Sequence, residues 1–324
     1  MVYYIGMKNV LKLLFLTSIV FSSAGCKKEG DSMPEYQGPV DVIVISGQSN
    51  AVGCTRNSEI KMSVGASAYS DYLKGFEDVK IAYDNWDKIT GTDAGGNSGT
   101  IFRLQHDSNK EFVKVMLGQG NDINGLTFGP EIGIANTLHE KHANKLYIIK
   151  CACGASNLKD DWAKRDSPMY GRFVEYVKNQ MNVLKTKGLK PTIKALCWMQ
   201  GEGDAYDGYY QDYYGNTKEF VGNLREDFKE LAGNKDFPFI DAGISNAVVP
   251  GNGLRWPKYQ EVNAAKKQFA EESENNYFID TIEAGMHTNE EPRGNIDYAH
   301  YDSESELLLG KLFAEQFEQF LMKD

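Results

Sequence analysis

The strongest constraint on the fold is an alternation of short apolar runs with longer amphipathic stretches along most of the chain. Such alternation is typical of a parallel sheet that helices cover on both faces. The predicted strands are Asp41–Ser46, Leu146–Cys151, Ile193–Met199, Phe237–Gly243 and Tyr277–Asp280. The predicted helices are Pro130–His142, Pro168–Lys187, Tyr209–Leu231, Pro257–Glu274 and Ser303–Met322.

One long stretch, residues 54–128, does not show this alternation of apolar and amphipathic segments. It contains the loop-like run Gly91–Gly99, and within it Val113–Leu117 has the pattern of a short strand. The chain of 324 residues is long enough for one large α/β domain. We therefore interpret residues 39–324 as a single domain, with 54–128 as an insertion that borders its functional site.

The first 25 residues have the pattern of an export signal. Two lysines precede the apolar run Leu13–Phe21, which is too short to span a bilayer. Small residues then lead to Cys26, an order that resembles a bacterial lipobox. We expect acylation of Cys26, a flexible tether over residues 26–38, and an exported lipoprotein anchored in a membrane at the periplasm or cell surface. The alternative is an ordinary secretory peptide with a chance cysteine.

The composition of the chain limits which partners and which cysteine chemistry we expect. The formal net charge is -10, and such a surface repels phosphate backbones, so we expect no nucleic-acid partner. Cys151, Cys153 and Cys197 lie in apolar runs and are expected to be core residues, whereas a bridge through Cys54 stays open. No cysteine spacing resembles a zinc site.

Polar residues with catalytic potential follow two of the predicted strands and open the last predicted helix. Ser46–Asn50 follows the first strand, Gln200–Glu202 follows the third, and Asp297–His300 lies near the end of the chain. Ligands of open parallel sheets bind at the carboxyl ends of the strands. We therefore expect all three segments to meet at one edge of the sheet.

Ser49 is the predicted nucleophile, because a sharp turn after a strand and a glycine can present its hydroxyl. His300 is the predicted general base, and Asp297, three residues earlier, is expected to orient its ring. Each motif alone is weak: Ser49 could be a helix N-cap, and Asp297 a helix-terminal acid beside a surface histidine. His287 is close enough to line the same cleft, but nothing in the sequence pairs it with an acid.

The residues around Ser49 and Gln200 could stabilise a developing oxyanion. The backbone N–H groups of Ser49 and Gly154 and the uncharged Gln200 amide are the predicted donors. Glu202 is expected to hold backbone amides of the Ser49 turn. Gln48 and Asn50, on either side of Ser49, are expected to support it without contacting the reacting atoms.

Taken together, these motifs resemble the SGNH hydrolase superfamily, and within it the carbohydrate esterases that include sialic acid 9-O-acetylesterases and family 6 acetylxylan esterases. The motifs that carry the resemblance are Gly47-Gln48-Ser49-Asn50, Gly129-Pro130-Glu131, the Lys150–Leu158 segment, Trp198-Met199-Gln200-Gly201-Glu202-Gly203-Asp204-Ala205 and Asp297-x-x-His300. The resemblance implies a flavodoxin-like three-layer α/β/α fold and no metal or other cofactor. It also implies the roles given above for Ser49, Asp297, His300, Gly154 and Gln200.

The sequence departs from the family pattern at three places. Ala155 stands where the family has a second glycine, so a positive φ would be strained there. Gly203 replaces a serine. Asp302 and Glu304 follow the histidine, and if either approaches it, the pKa of His300 rises and the activity optimum moves to alkaline pH.

The function that the resemblance implies is that of a serine esterase that removes O-acetyl groups from carbohydrates through an acetyl-enzyme. An O-acetylated glycan is the expected partner, resting on the 54–128 insertion, Trp162 and the Tyr206–Tyr214 loop. The alternatives are a non-catalytic glycan-binding lipoprotein and a lipase or thioesterase of the same superfamily.

Overall fold

The computed structural model describes residues 36–92, 95–288, 291 and 296–322. The predicted export signal, Cys26 and most of the predicted tether lie outside these residues. No helix among the described residues is long and apolar enough to cross a membrane.

The described residues form one large sheet, two short two-stranded sheets and helices on both sides. The strands are β1 (Pro39–Gly47), β2 (Thr55–Arg56), β3 (Phe76–Thr92), β4 (Ser98–Asp107), β5 (Val113–Val115), β6 (Thr127–Phe128), β7 (Lys145–Gly154), β8 (Lys190–Met199), β9 (Phe239–Ala242), β10 (Val248–Val249), β11 (Gly253–Leu254) and β12 (Asn276–Ile279). The α-helices are α1 (Ser49–Val52), α2 (Asn57–Lys74), α3 (Glu131–Leu138), α4 (Leu158–Asp161), α5 (Pro168–Thr186), α6 (Glu202–Asp207), α7 (Tyr213–Asp227), α8 (Tyr259–Ala270) and α9 (Ser303–Leu321).

The large sheet has the strand order β12-β9-β8-β1-β7-β3-β4, and β5 also pairs with β3. The strands from β12 to β3 are mutually parallel, whereas β4 and β5 run antiparallel to β3. Without the insertion strands, the order is 2-1-3-4-5 in chain sequence, which is the flavodoxin-like order. The predicted mostly parallel α/β fold is therefore confirmed.

Helices cover the two faces of this sheet. On one side α3 and α9 pack together, α2 packs against α9, and α9 contacts β8 and β9. On the other side α5 packs against β7 and β8, while α8 packs against α7 and β12. The central strands are apolar almost throughout, and Val42–Ile45 of β1 are fully buried, as expected where both faces of a parallel sheet are covered.

The 54–128 stretch contains more regular structure than the sequence predicted. Helix α2 occupies its first part, and the hairpin β3–β4 widens the sheet beyond β7. The loop-like run 91–99 includes the turn of this hairpin, and Val113–Val115 confirms the short predicted strand. Helix α2 escaped prediction because only Ile60 and Tyr72 are buried along it, so it has no apolar stripe.

Candidate active site

Ser49 lies where β1 ends and the short helix α1 begins. Gly47, two residues earlier, has a φ of 138°, and a Cβ there would lie 2.0 Å from the carbonyl oxygen of Met199. Only glycine permits this approach of β1 to β8. Ser49 is half-buried, and its backbone N–H is at the start of α1, where helix geometry provides no intrahelical acceptor.

Gln48 ties the Ser49 turn to the loop after β8. Its Oε1 accepts hydrogen bonds from Gln200 Nε2 at 3.2 Å, Gly201 N at 3.3 Å and Gly203 N at 3.2 Å. Gln200 Nε2 also donates to Asp204 Oδ2 at 2.7 Å. Both N–H groups of the buried Gln200 side-chain amide therefore donate hydrogen bonds to other side chains of the protein. This arrangement does not support the prediction that the Gln200 amide faces an oxyanion, and it gives that side chain a positioning role.

Asn50 joins three distant segments. Its Nδ2 donates to Glu202 Oε1 at 2.7 Å, and its Oδ1 accepts from the Tyr301 backbone N–H at 3.1 Å. Glu202 is buried, and burial raises the pKa of its carboxyl, while the bond from Asn50 lowers it. The Glu202 carboxylate therefore holds the Asn50 side chain rather than backbone amides of the Ser49 turn. Gln48 and Asn50 thus tie the Ser49 turn to the loop after β8 and to Tyr301 through their side chains.

Asp297 and His300 form a hydrogen-bonded pair in a turn that precedes α9. Asp297 Oδ2 lies 2.6 Å from His300 Nδ1, and Asp297 Oδ1 accepts from the Ala299 N–H at 2.9 Å. Burial acts to raise the pKa of Asp297, but the bond and charge of His300 outweigh it and lower the pKa to about 2. The carboxylate is thus ionised over the whole neutral range and fixes one ring nitrogen of His300.

His300 and Cys54 line the same cavity. Among the described residues, neither the Ser49 hydroxyl nor the Cys54 thiol forms a hydrogen bond to the ring. Burial acts to lower the pKa of His300, but its neighbours Cys54 and Asp297 raise it to about 11. The alkaline direction agrees with our expectation. The cause differs, because Cys54 and not Asp302 or Glu304 is the added partner.

His287 has an acidic partner that the sequence did not indicate. Its Nδ1 hydrogen-bonds to Asp302 Oδ2, and its backbone N–H donates to Ser305 Oγ at 2.9 Å. Asp302 is buried and also caps α9 by accepting from the Ser305 N–H. The expectation that His287 lacks an acid was therefore wrong, and the Asp302 carboxylate is engaged by His287 and by the Ser305 N–H.

Gly154 ends β7 beside the insertion strand β3. It is paired with Asp87, whose Oδ1 would lie 2.7 Å from a Cβ on Gly154. Burial raises the pKa of Asp87, and the nearby His300 lowers it. Ala155, the next residue, has a φ of 56°, so it adopts the left-handed conformation that the sequence analysis identified as strained for alanine.

A cavity of about 430 Å³ opens beside His300. It is lined by Cys54, Arg56, Val249 and Arg255 as well as by the Asp297–His300 segment. Trp162, predicted to carry sugar, is fully buried against Trp198, Phe173 and Phe220 and cannot do so. Arg255 follows the small hairpin β10–β11, which the sequence analysis missed because each of its strands has only two residues.

Lys150 anchors the back of the site. Its ammonium donates to Val52 O at 3.0 Å, Gln119 O at 2.8 Å and Glu131 Oε2 at 2.9 Å. Both side chains of the Lys150–Glu131 pair are fully buried. Because Val52 is the last residue of α1, this buried cation fixes the helix that begins at Ser49.

The described cysteines Cys54, Cys151, Cys153 and Cys197 are all free thiols, so Cys54 forms no disulfide with any of them. Within the described ranges, no group of three or more histidine, cysteine, aspartate or glutamate side chains has a metal-binding arrangement.

Comparison with known proteins identifies the class. The chain is a carboxylic ester hydrolase of the carbohydrate esterase class, because residues 39–319 match the family "Carbohydrate esterase, sialic acid-specific acetylesterase". The chain belongs to this family, and the resemblance noted from its motifs is confirmed.

Individual relatives are more distant. A probable carbohydrate esterase of Arabidopsis thaliana is 27% identical over 209 residues, which cover 61% of this chain and 69% of that protein. The X-ray structure of an Arabidopsis thaliana protein is 20% identical with a TM-score of 0.55, covering 87% of this chain and 98% of the other. The crystal structure of NanS is 16% identical with a TM-score of 0.57, covering 88% and 98%. At these identities the two structures show the fold alone.

Proposed function

We propose that this chain removes O-acetyl groups from carbohydrates, with Ser49 as nucleophile, His300 as general base and Asp297 as its orienting acid. The observation that supports this most directly is the 2.6 Å bond between Asp297 and His300. That pair is held next to the Ser49 turn, because Asn50 accepts a hydrogen bond from the residue that follows His300.

The reaction has two halves. Ser49 Oγ attacks the acetyl carbonyl while His300 takes its proton, and the N–H groups of Ser49 and Gly154 stabilise the oxyanion, at about 3 kcal/mol for each donor. His300 then gives the proton to the sugar oxygen as the C–O bond breaks. Water attacks the acetyl-enzyme in the same way and releases acetate.

Two arginines of the cavity can bind an acidic sugar, and four carboxyl groups, those of Glu59, Glu291, Asp297 and Asp302, line the same cavity. Arg56 and Arg255 both line it, and within the described part of the chain neither guanidinium forms an ion pair with a carboxylate. Arginine suits planar carboxylates because its donors match them pairwise. We therefore propose O-acetylated sialic acid as the substrate in preference to acetylated xylan, which has no carboxylate on its xylose units.

The test of the reaction is hydrolysis of a small aryl acetate by wild type and Ser49→Ala. We expect wild type to be active and the variant to lose at least about 10³-fold in kcat/KM. Wild type that is inert but retains sugar binding would favour the glycan-binding alternative. Turnover that rises with acyl chain length would favour a lipase or thioesterase.

The test of the substrate compares acetate release from O-acetylated sialic acid and from acetylated xylan. Arg255→Ala should raise KM for the sialic acid about tenfold or more while leaving aryl acetate hydrolysis unchanged, because the aryl ester has no carboxylate. Faster release from xylan, or equal effects of Arg255→Ala on both esters, would contradict the acidic-sugar assignment.

We also propose that Cys26 is acylated and anchors the protein in a membrane. Labelled palmitate should be incorporated into wild type and Cys54→Ala but not into Cys26→Ala. Label in Cys26→Ala would show that the anchor is elsewhere.

A further inference from the structure

Lys266 is a fully buried charged residue that the proposed reaction does not use. It lies on α8, and its ammonium donates to Asp241 Oδ1 at 2.5 Å and to the Ala242 carbonyl oxygen at 3.0 Å. The Asp241 side chain is buried as well. Replacing such a buried pair by apolar residues of similar size is often neutral for stability. Stability alone therefore does not explain a charged pair at this position.

The ammonium of Lys266 faces the ring of Tyr213, the first residue of α7. Its Nζ is 5.4 Å from the ring centroid, within the range of a cation–π contact. The Tyr213 hydroxyl lies 3.0 Å from Gln200 Oε1 and 3.2 Å from the Gln200 carbonyl oxygen. Burial raises the pKa of Tyr213, so this hydroxyl keeps its proton and donates to Gln200. The cation is thereby linked to the residue that binds Gln48 in the Ser49 turn.

The apolar stem of Lys266 packs against the loop after β8. A Cβ on Gly201 would lie 3.3 Å from Lys266 Cε, so the stem lies directly beside this glycine. Glu202, the next residue, accepts the hydrogen bond of the Asn50 side chain at 2.7 Å. Burial raises the pKa of the Glu202 carboxyl, and the positive charge of Lys266 acts against it. Lys266 thus favours the carboxylate that Asn50 binds.

A third contact of Lys266 leads to the segment that carries His300. Lys266 binds the carbonyl of Ala242, the last residue of β9. The next carbonyl oxygen along the chain, that of Gly243, accepts a hydrogen bond from the Tyr301 hydroxyl at 3.2 Å. Tyr301 directly follows His300. One buried ammonium is therefore connected to both segments that carry the proposed reactive groups.

We propose that Lys266 is a positioning residue that keeps Ser49 and His300 in the geometry that proton transfer between them requires. This inference rests on the proposed function of those two residues. Lys266 acts through its contacts with Tyr213 and Ala242 and takes no part in making or breaking bonds. Its removal should therefore lower the rate of the chemical step and leave the binding of a small ester unchanged.

The first measurement is the hydrolysis of an aryl acetate by Lys266→Met, which keeps most of the apolar stem and removes the ammonium. We expect kcat to fall at least about tenfold, with KM changed less than about twofold. Asp41→Asn is the matched control, because it breaks the buried Asp41–His142 pair, 2.9 Å long, near the opposite end of β1 from Ser49. That control should lose stability and keep its kcat. A kcat for Lys266→Met equal to that of the control would contradict the proposal.

A second variant, Lys266→Met/Asp241→Leu, separates positioning from stability. Removing both members leaves no buried charge unpaired, so urea unfolding should show a smaller loss than for Lys266→Met alone. Positioning by the ammonium predicts that kcat nevertheless stays at least about tenfold below wild type. Recovery of kcat together with stability would show that the pair acts on stability only, and would overturn the proposal.

The third measurement does not depend on esterase activity. Hydrogen–deuterium exchange, followed by mass spectrometry, compares residues 200–208 and 299–303 with helix α5 in wild type and in the double variant. We expect the amides of the two site segments to exchange at least about tenfold faster in the variant, while those of α5 are unchanged.

Exchange and kinetics together separate this inference from the proposed function. If wild type hydrolyses no ester, the function fails, and the exchange rates alone still decide whether Lys266 holds the two segments. Unchanged exchange in both segments, or an equal acceleration in α5, overturns the role of Lys266.

Discussion

Replacing Lys150 by methionine tests whether the buried cation holds the site together. The substitution keeps most of the apolar stem but removes three hydrogen bonds of 2.8 to 3.0 Å. It also leaves the fully buried Glu131 carboxylate without its ion-pair partner. Breaking one side of a buried pair costs about 3–5 kcal/mol, and we expect Lys150→Met to lose that much free energy of unfolding.

Urea unfolding at pH 7, followed by circular dichroism, measures this loss directly. Lys159→Met is the matched control, because the Lys159–Asp212 pair is 3.0 Å long but exposed on both sides, and such pairs contribute less than about 1 kcal/mol. The double variant Lys150→Met/Glu131→Leu should lose less than the sum of the two single variants, since no buried charge is left unpaired. A loss below about 1 kcal/mol for Lys150→Met, or strict additivity, would refute the reasoning.

Three further outcomes follow from backbone geometry and charge. Gly47→Ala should abolish folding or lower the free energy of unfolding by several kcal/mol, because a Cβ there cannot fit against β8. Gly171→Ala is the control: open space surrounds this helical glycine, so thermal unfolding should show a gain of up to about 1 kcal/mol in free energy. Ala155→Gly should raise the free energy of unfolding by up to about 1 kcal/mol in urea titration by relieving the left-handed φ; a loss would show that alanine is not strained there. The lowered pKa of Asp297 means that its stabilising effect is complete above its unfolded pKa of about 4 and is lost as pH falls toward 2. The difference in unfolding free energy between wild type and Asp297→Asn should therefore shrink between pH 5 and pH 2, and a constant difference would contradict the ion pair.

The sequence predicted the sheet well because buried parallel strands are continuous apolar runs. Every predicted strand overlaps an observed one, from β1 to β12. The strands of the 54–128 insertion were harder to predict. The hairpin β3–β4 pairs residues on an edge of the sheet where few side chains are buried, so the period of its apolar residues carries little signal.

The sequence predicted which residue types form the site, but not which of their side chains lie next to each other. Asp297 and His300 are three residues apart, so their bond can be inferred from spacing. The hydrogen bond between His287 and Asp302, and the presence of Cys54 and His300 in one cavity, depend on how distant turns fold against each other, which spacing does not record. The Gln200 amide was assigned from its chemistry alone, and only coordinates show that Gln48 and Asp204 already occupy it.

The hydrogen bonds of Asn50 span 152 residues to Glu202 and 251 residues to Tyr301. During synthesis on the ribosome, the turn that contains Ser49 is made early and the turn that contains His300 is made almost last. A nascent or truncated chain that ends before residue 300 therefore has the serine hydroxyl but neither the imidazole nor the Tyr301 N–H from which Asn50 Oδ1 accepts. Completion of the polypeptide is thus a physical precondition for assembling the proposed reactive group, independent of any inhibitor or processing step.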